Sequence, residues 1–221
     1  MPSRRAIRSL KQALPAASCL AILSLLCFAA RQFAMPVAQP AKTYPAHDEH
    51  PTEALTVAVD PYDTADKSSI FSVRYNDIGM LPLFLVVTNE GDQPISLGEI
   101  KAQLVTADRT KISPAVPDDI FRRLSHPSAS TNRYPLPFPT KKVKGGVSKE
   151  AREEIENAQF AAKAVEPHST QAGFLFFDVE GISAPLSGAR FYLTGVRDSK
   201  GSEVMYFEVS LEKYLGGPAK P

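Results

Sequence analysis

The sequence predicts a mainly β fold: an immunoglobulin-like antiparallel β-sandwich with one inserted α-helix, preceded by an N-terminal hydrophobic helix. Three observations predict it. Short apolar stretches with period-two alternation recur between turn signals. One internal segment breaks that pattern with a helix cap and a helical apolar stripe. The chain begins with a basic head followed by an apolar run.

Arg4, Arg5, Arg8 and Lys11 precede the apolar run, which extends from about Ala13 to Ala30. A spanning helix takes roughly 20 apolar residues, so the run suits either a membrane anchor or a cleavable export signal. Cleavage fits best after Ala29, with Cys27 as the second small residue. Ser3-Arg4-Arg5 resembles the start of a twin-arginine export motif, but Arg8 and Ser9 depart from its continuation. Cys19 and Cys27 are both poorly placed for lipidation. Residues 1–31 are therefore read as a signal peptide or transmembrane anchor, with the membrane as partner through residues 13–30 if they stay uncleaved. In either case the basic head stays cytoplasmic and the body lies outside, in the cell envelope or secreted.

Residues 32–52 carry Pro36, Pro40, Pro45 and Pro51 and are expected to be a semi-extended linker. Of 25 Lys+Arg, five lie at or before Arg31, which leaves 20 against 24 Asp+Glu and a body near −4. That balance argues against a nucleic-acid partner. The 2 Cys both sit in the apolar run, so the body has no disulfide, thiol nucleophile or thiolate metal site.

The body, residues 53–214, reads as strands in order. Leu55–Val59 alternates and stops at Asp60-Pro61. Ile70–Tyr75 is a second strand. Leu81–Val87 is apolar on both faces, as in a strand covered on both sides, with Pro82 at its start. Asn89-Glu90-Gly91-Asp92 is a tight turn. Ile95–Thr106 returns as one strand with Ile100, Ala102 and Leu104 inward. Gly173–Val179 is strongly apolar. Ala189, Phe191 and Leu193 line one face of the next strand, with Arg190, Tyr192 and Thr194 on the other. Asp198-Ser199-Lys200-Gly201 is a hairpin loop. The last strand puts Met205, Phe207, Val209 and Leu211 inward, and residues 215–221 form a disordered tail.

Residues 113–168 form an unlike insertion. Asp118–Leu124 suits one helical turn with Arg122 and Arg123 outside. Ser148 caps a helix over about 148–164, with Glu150, Glu153 and Glu154 near its positive end. Ala151, Ile155, Ala158 and Ala162 form its apolar stripe. Between the two helices, Tyr134, Leu136 and Phe138 alternate with prolines, and Lys141, Lys142 and Lys144 follow in a basic stretch. These six are the candidate interaction surface, since functional loops ride on rigid scaffolds.

His47-Asp48-Glu49-His50 is the one metal-like cluster, with residue types that suit Zn²⁺ or Cu²⁺. Its place in a Pro-rich linker favours a solvated polar stretch instead. His126 and His168 read as surface residues. No Gly-x-Ser-x-Gly elbow, His-Glu-x-x-His motif or phosphate loop occurs, so no catalytic or cofactor-binding residue is assigned and no cofactor is expected.

Met80-Leu81-Pro82-Leu83-Phe84-Leu85-Val86-Val87-Thr88-Asn89-Glu90-Gly91-Asp92, with Gly173-Phe174-Leu175-Phe176-Phe177 before a terminal hairpin, resembles exported or membrane-tethered bacterial immunoglobulin-like proteins of uncharacterised role. The likeness covers roughly residues 68–106 and 169–211. It implies an envelope location and transfers no site. The expected function is a non-enzymatic, envelope-located binding or structural module with an envelope protein as possible partner. Two alternatives stand beside it: an assembly or chaperone-like protein that pairs a strand edge with a client, and a metal-handling protein using His47 and His50.

Overall fold

Residues 33–125, 147–204 and 206–216 are described by a computed structural model. The strands are β1 His47–His50, β2 Leu55–Pro61, β3 Met80–Asn89, β4 Ile95–Ser96, β5 Lys101–Val105, β6 Lys111–Ile112, β7 Ala164–Val165, β8 Ser169–Asp178, β9 Arg190–Thr194 and β10 Phe207–Ser210. The helices are short: α1 Ala65–Ser68, α2 Pro117–Ser125, α3 Lys149–Ala158 and α4 Glu212–Leu215. The fold is mainly β, and every strand pairing is antiparallel.

One sheet runs β1-β2-β3-β8 and a second runs β10-β9-β5-β6, with β4 and β7 forming a small ribbon. Alternation along β3 organises both cores. Leu81, Leu83, Leu85 and Val87 face Leu104, Phe191, Leu193, Phe207 and Val209 of the second sheet. Met80, Phe84 and Val86 face the opposite way, toward Tyr62, Phe71, Tyr75, Ile120 and Ile155. β8 follows the same rule, with Phe177 in the first core and Phe174 and Phe176 in the second. All ten residues of β3 are buried, as the unbroken apolar run predicts. Pro82 is tolerated there because its carbonyl accepts the Tyr62 amide at 2.9 Å. N and C=O of one strand residue point the same way, so the missing donor faces the chain just past the end of β2 rather than β8.

The second core is a layer of loops and helices on the outer face of the first sheet. Four differences from the sequence reading lie in or beside it. First, the linker reading of 32–52 fails from Phe33 onward. β1 pairs with β2, Ala41 and Ala46 are fully buried, and the Ala41 amide donates to Thr88 Oγ1 at 2.8 Å. Phe33 stacks on Phe71 with centroids 5.5 Å apart. Proline keeps this stretch extended, and the small alanines let that extended backbone lie directly against the sheet.

Second, residues 70–75 are bends leading into a 3-10 turn, Tyr75–Ile78, and not a strand. Phe71, Val73 and Tyr75 do point inward, so the period-two signal was real. The Ser72 and Val73 amides, however, go to a side chain of α3, while those of Phe71 and Tyr75 go to the local carbonyls of Ser68 and Val73. Third, Ile95–Thr106 is broken into β4 and β5, with Leu97 donating to the Lys163 carbonyl at 2.8 Å across the ribbon. Ile100, Ala102 and Leu104 still pack against the first core.

Fourth, the helix capped by Ser148, whose hydroxyl accepts the Ala151 amide at 3.1 Å, ends at Ala158 and not near residue 164. The chain then lies along β8, with the Phe160 amide donating to the Phe174 carbonyl at 2.9 Å. Gly173 makes that approach possible, because a Cβ there would stand 2.5 Å from Phe160 Cα. Satisfying an edge-strand carbonyl outweighs another helical turn.

Where the C-terminal strands are concerned, the expected faces hold. Ala189, Phe191, Leu193, Phe207, Val209 and Leu211 are fully buried. Asp198 closes its hairpin loop by accepting the Lys200 and Ser202 amides at 2.8 Å each, with Gly201 at φ 82°. No helix among the described residues is long and apolar enough to cross a membrane. Residues 1–32, which hold the expected signal or anchor, and Met205 lie outside the described residues.

Candidate functional site

Glu154 is the most unusual side chain of the described fold. It sits in α3 at 3% exposure, surrounded by the aromatic residues of the second core. Its carboxylate accepts the Ser72 amide at 2.6 Å, the Val73 amide at 3.2 Å and the Tyr75 hydroxyl at 3.1 Å. A buried carboxylate is tolerated when hydrogen bonds replace its water, and here three donors do so. Burial first, and the Glu154 carboxylate second, push the Tyr75 hydroxyl far above its ordinary range. Around them Phe71, Phe174 and Phe176 pack edge-on or tilted against one another and Tyr75, at centroid distances of 4.7–6.4 Å. Tyr75 keeps its proton here and donates it to Glu154, so the arrangement clamps the 70–78 excursion onto the insertion.

Sequence reasoning placed Glu154 among helix-start charges. The signal for its real role was its spacing. Ala151, Glu154, Ile155 and Ala158 fall at i, i+3, i+4 and i+7, so the carboxylate shares the buried stripe.

Arg123 makes a second junction. Expected outside the helix, its side chain is only 20% exposed. Its guanidinium bonds the carboxylates of Asp178 and Glu180 and reaches the Ile78 carbonyl at 3.4 Å. This ties α2 to the end of β8 and to the turn before β3. A cleft of about 580 Å³ opens beside it, between that turn and residues 179–185. Asp63, Asp77, Glu180 and Arg123 supply its charges over a floor that includes Met80 and Leu81. Each charge has a partner: Asp63 accepts the Tyr214 hydroxyl at 2.7 Å and Asp77 meets Arg74 at 3.1 Å. The charges of the cleft as built are already taken up in ion pairs and a hydrogen bond.

Lys67 stands between the rings of Tyr62 and Tyr214, 5.6 and 4.5 Å from their centroids, and pairs with Asp60 at 2.5 Å. Burial, then Asp60, pushes the Tyr62 hydroxyl up to about 12. This cluster fixes the C-terminal helix α4 over the 60–67 turn.

The four metal candidates are separated by strand geometry. Successive residues of β1 alternate in direction, so His47 and His50 point to opposite faces. His47 Nδ1 lies 2.6 Å from the Tyr44 carbonyl oxygen. His50 stacks on Phe207 at 4.0 Å, with Asp48 3.6 Å away. Asp48 itself accepts the Glu208 amide at 2.9 Å. Glu49 shares the His47 face. Among the described residues no group of three or more His, Cys, Asp or Glu is placed to hold a metal ion. Tyr134, Leu136, Phe138, Lys141, Lys142 and Lys144 lie outside the described residues, as does His126. His168 pairs with Asp92 on the surface at 2.9 Å.

No family model matches the chain. No curated protein matches it. Among solved structures, it is similar to a conserved hypothetical protein from Bacillus anthracis, a 2.2 Å crystal structure, at 13% identity and a TM-score of 0.29. That likeness covers 74% of this chain and 91% of the other, and at this TM-score it carries no argument.

Proposed function

We propose that this protein is a non-enzymatic binding or structural module of the cell envelope, built as an immunoglobulin-like sandwich. The fold reading is supported by strand order. The orders β2-β3-β8 and β10-β9-β5-β6 correspond to the A-B-E and G-F-C-C′ strands of that architecture, with β1 added at one edge. The insertion then replaces the connection between C′ and E.

The observation that carries the functional reading is how the two flanks of residues 126–146 are held. α2 and α3 pack together, with the Arg152 guanidinium over the Phe121 ring at 4.4 Å. Both helices bury a side chain in the second core, Ile120 and Ile155. A segment whose two ends are fixed at one place on a rigid face is suited to presenting Tyr134, Leu136, Phe138 and the three lysines to a protein partner. Strand-edge pairing fits less well. On the long edge strand β8, the Phe174 and Phe176 carbonyls already accept amides of Phe160 and Ala115.

The test is cross-linking capture from native membranes with the full chain, run beside a Tyr134→Ser/Leu136→Ser/Phe138→Ser variant and a His47→Ala/His50→Ala variant. The reading expects one defined set of partners, lost with the first variant and kept with the second. Capture that the first variant leaves unchanged contradicts it. N-terminal sequencing of the same material separates anchor from cleaved signal.

A further inference from the structure

The second sheet has a solvent-facing side unlike the rest of the molecule. Its inward residues, Leu104, Phe191, Leu193, Phe207 and Val209, are fully buried, so the residues between them face outward. Register places them in rows. Lys111, Val105, Arg190 and Ser210 lie side by side across four strands. Gln103, Tyr192 and Glu208 form the next row, and Lys101 and Thr194 the row after. Tyr206 is 48% exposed, and its ring stands 6.1 Å from that of Tyr192, tilted by 43°. Lys101, Lys111 and Arg190 are all exposed.

Two properties of this face point to one kind of occupant. It is basic: three cations against Glu208, which is already bonded to Arg190. The chain beyond Arg31 is acidic by comparison, with 20 Lys+Arg against 24 Asp+Glu. It also offers a pair of tyrosine rings on the sheet face, with Tyr192 in the row that carries Gln103 and Glu208. Tyrosine faces stack on the C–H faces of pyranose rings through their negative π surface. Lys101 and Lys111, both exposed, add positive charge that complements a polymer carrying carboxylates.

The geometry points to this outer face of the β10-β9-β5-β6 sheet as a docking surface for an acidic polysaccharide, with Tyr192 and Tyr206 stacking on sugar rings and Lys101 and Lys111 pairing with uronate carboxylates. It lies on a different sheet from the one that carries α2 and α3, so it stands or falls independently of residues 126–146.

The test is calorimetric titration of the full chain with polygalacturonate, beside neutral dextran, poly-glutamate and phosphatidylglycerol vesicles. The expected result is saturable binding to polygalacturonate that weakens with salt. Tyr206→Ala weakens it by about tenfold or more, the loss of one stacked anchor. Lys101→Glu with Lys111→Glu abolishes it. All three residues are exposed, so unchanged far-ultraviolet circular dichroism keeps either variant informative. Absence of polygalacturonate binding overturns the proposal. So does binding that Tyr206→Ala leaves unchanged, which is polyelectrolyte attraction alone. Vesicle binding lost in the same variants, without polygalacturonate binding, assigns the face to lipid and overturns it equally.

Discussion

Glu154 Oε1 accepts the hydroxyl of Tyr75 at 3.1 Å across a separation of 79 residues in sequence. The bond joins the insertion to a loop that connects the first sheet's central strands. With the Ser72 and Val73 amides on the same carboxylate, it replaces the strand ladder that residues 70–75 lack. Removing the carboxylate strands two buried donors, the Val73 amide and the Tyr75 hydroxyl, and frees the part-buried Ser72 amide. Glu154→Ala is expected to cost about 3 kcal/mol or more, and Glu154→Gln about 1–2 kcal/mol because an acceptor oxygen remains. Urea unfolding of both variants checks this; a loss from Glu154→Ala no larger than an ordinary surface substitution contradicts it.

Alkaline pH probes the same core from the tyrosine side. Tyr75 and Tyr62 have hydroxyl pKa values raised in the fold, that of Tyr62 to about 12, against an ordinary value of 10.0. The unfolded chain therefore loses these protons first as pH rises above about 10, and binds fewer protons than the native state. Their contribution is fully present below that pH and falls through the alkaline range. Absorbance titration should show these phenolates forming late or only with unfolding, and Tyr75→Phe should flatten the alkaline loss of stability.

Much of the β framework was legible because burial imposes a period. β3 follows from its unbroken apolar run, and β9 and the inward faces of β5 and β10 follow from alternation. The residues that misled are those where a side chain or a neighbouring strand took over a backbone role. Phe71, Val73 and Tyr75 alternate like a strand, yet a carboxylate, and no neighbouring strand, holds the Ser72 and Val73 amides. Ala162 continues a helical stripe, yet an edge-strand carbonyl draws the chain out of the helix at Phe160. Pro36, Pro40 and Pro45 give a linker composition, and the fully buried residues among them, Ala41 and Ala46, are too small to register as a core signal. Glu154 was visible in its spacing, but composition alone assigns a carboxylate to the surface.

Gly173 and Gly181 separate two costs of adding a methyl group. Gly173→Ala drives a Cβ to 2.5 Å from Phe160 Cα and 2.7 Å from Phe160 N, both backbone atoms with little freedom to shift. Gly181 has φ 76° with nothing within 4 Å, so alanine there meets only left-handed strain. Gly181→Ala is expected to cost about 1–2 kcal/mol, and Gly173→Ala clearly more. Thermal unfolding of the pair gives the order; equal losses contradict the close crossing at Phe160.

Phe33 tests where the folded unit begins. Its ring lies parallel to that of Phe71 at 5.5 Å and edge-on to Phe174 at 6.5 Å. Phe33→Ala is expected to lower stability by about 1–3 kcal/mol, through lost burial and stacking. A linker residue would tolerate the change within about 0.5 kcal/mol. Chemical denaturation distinguishes the two.

The central claim is that α3 of the insertion belongs to the rigid scaffold, locked to it through Glu154. Native-state hydrogen exchange at the Ser72 and Val73 amides tests it most directly. Neither amide belongs to a strand, so an unanchored loop would exchange both at rates close to an open chain. The account predicts strong protection of both, and its selective loss in Glu154→Ala while the β3 amides stay protected. Fast exchange of Ser72 and Val73 in the unmodified protein would contradict it.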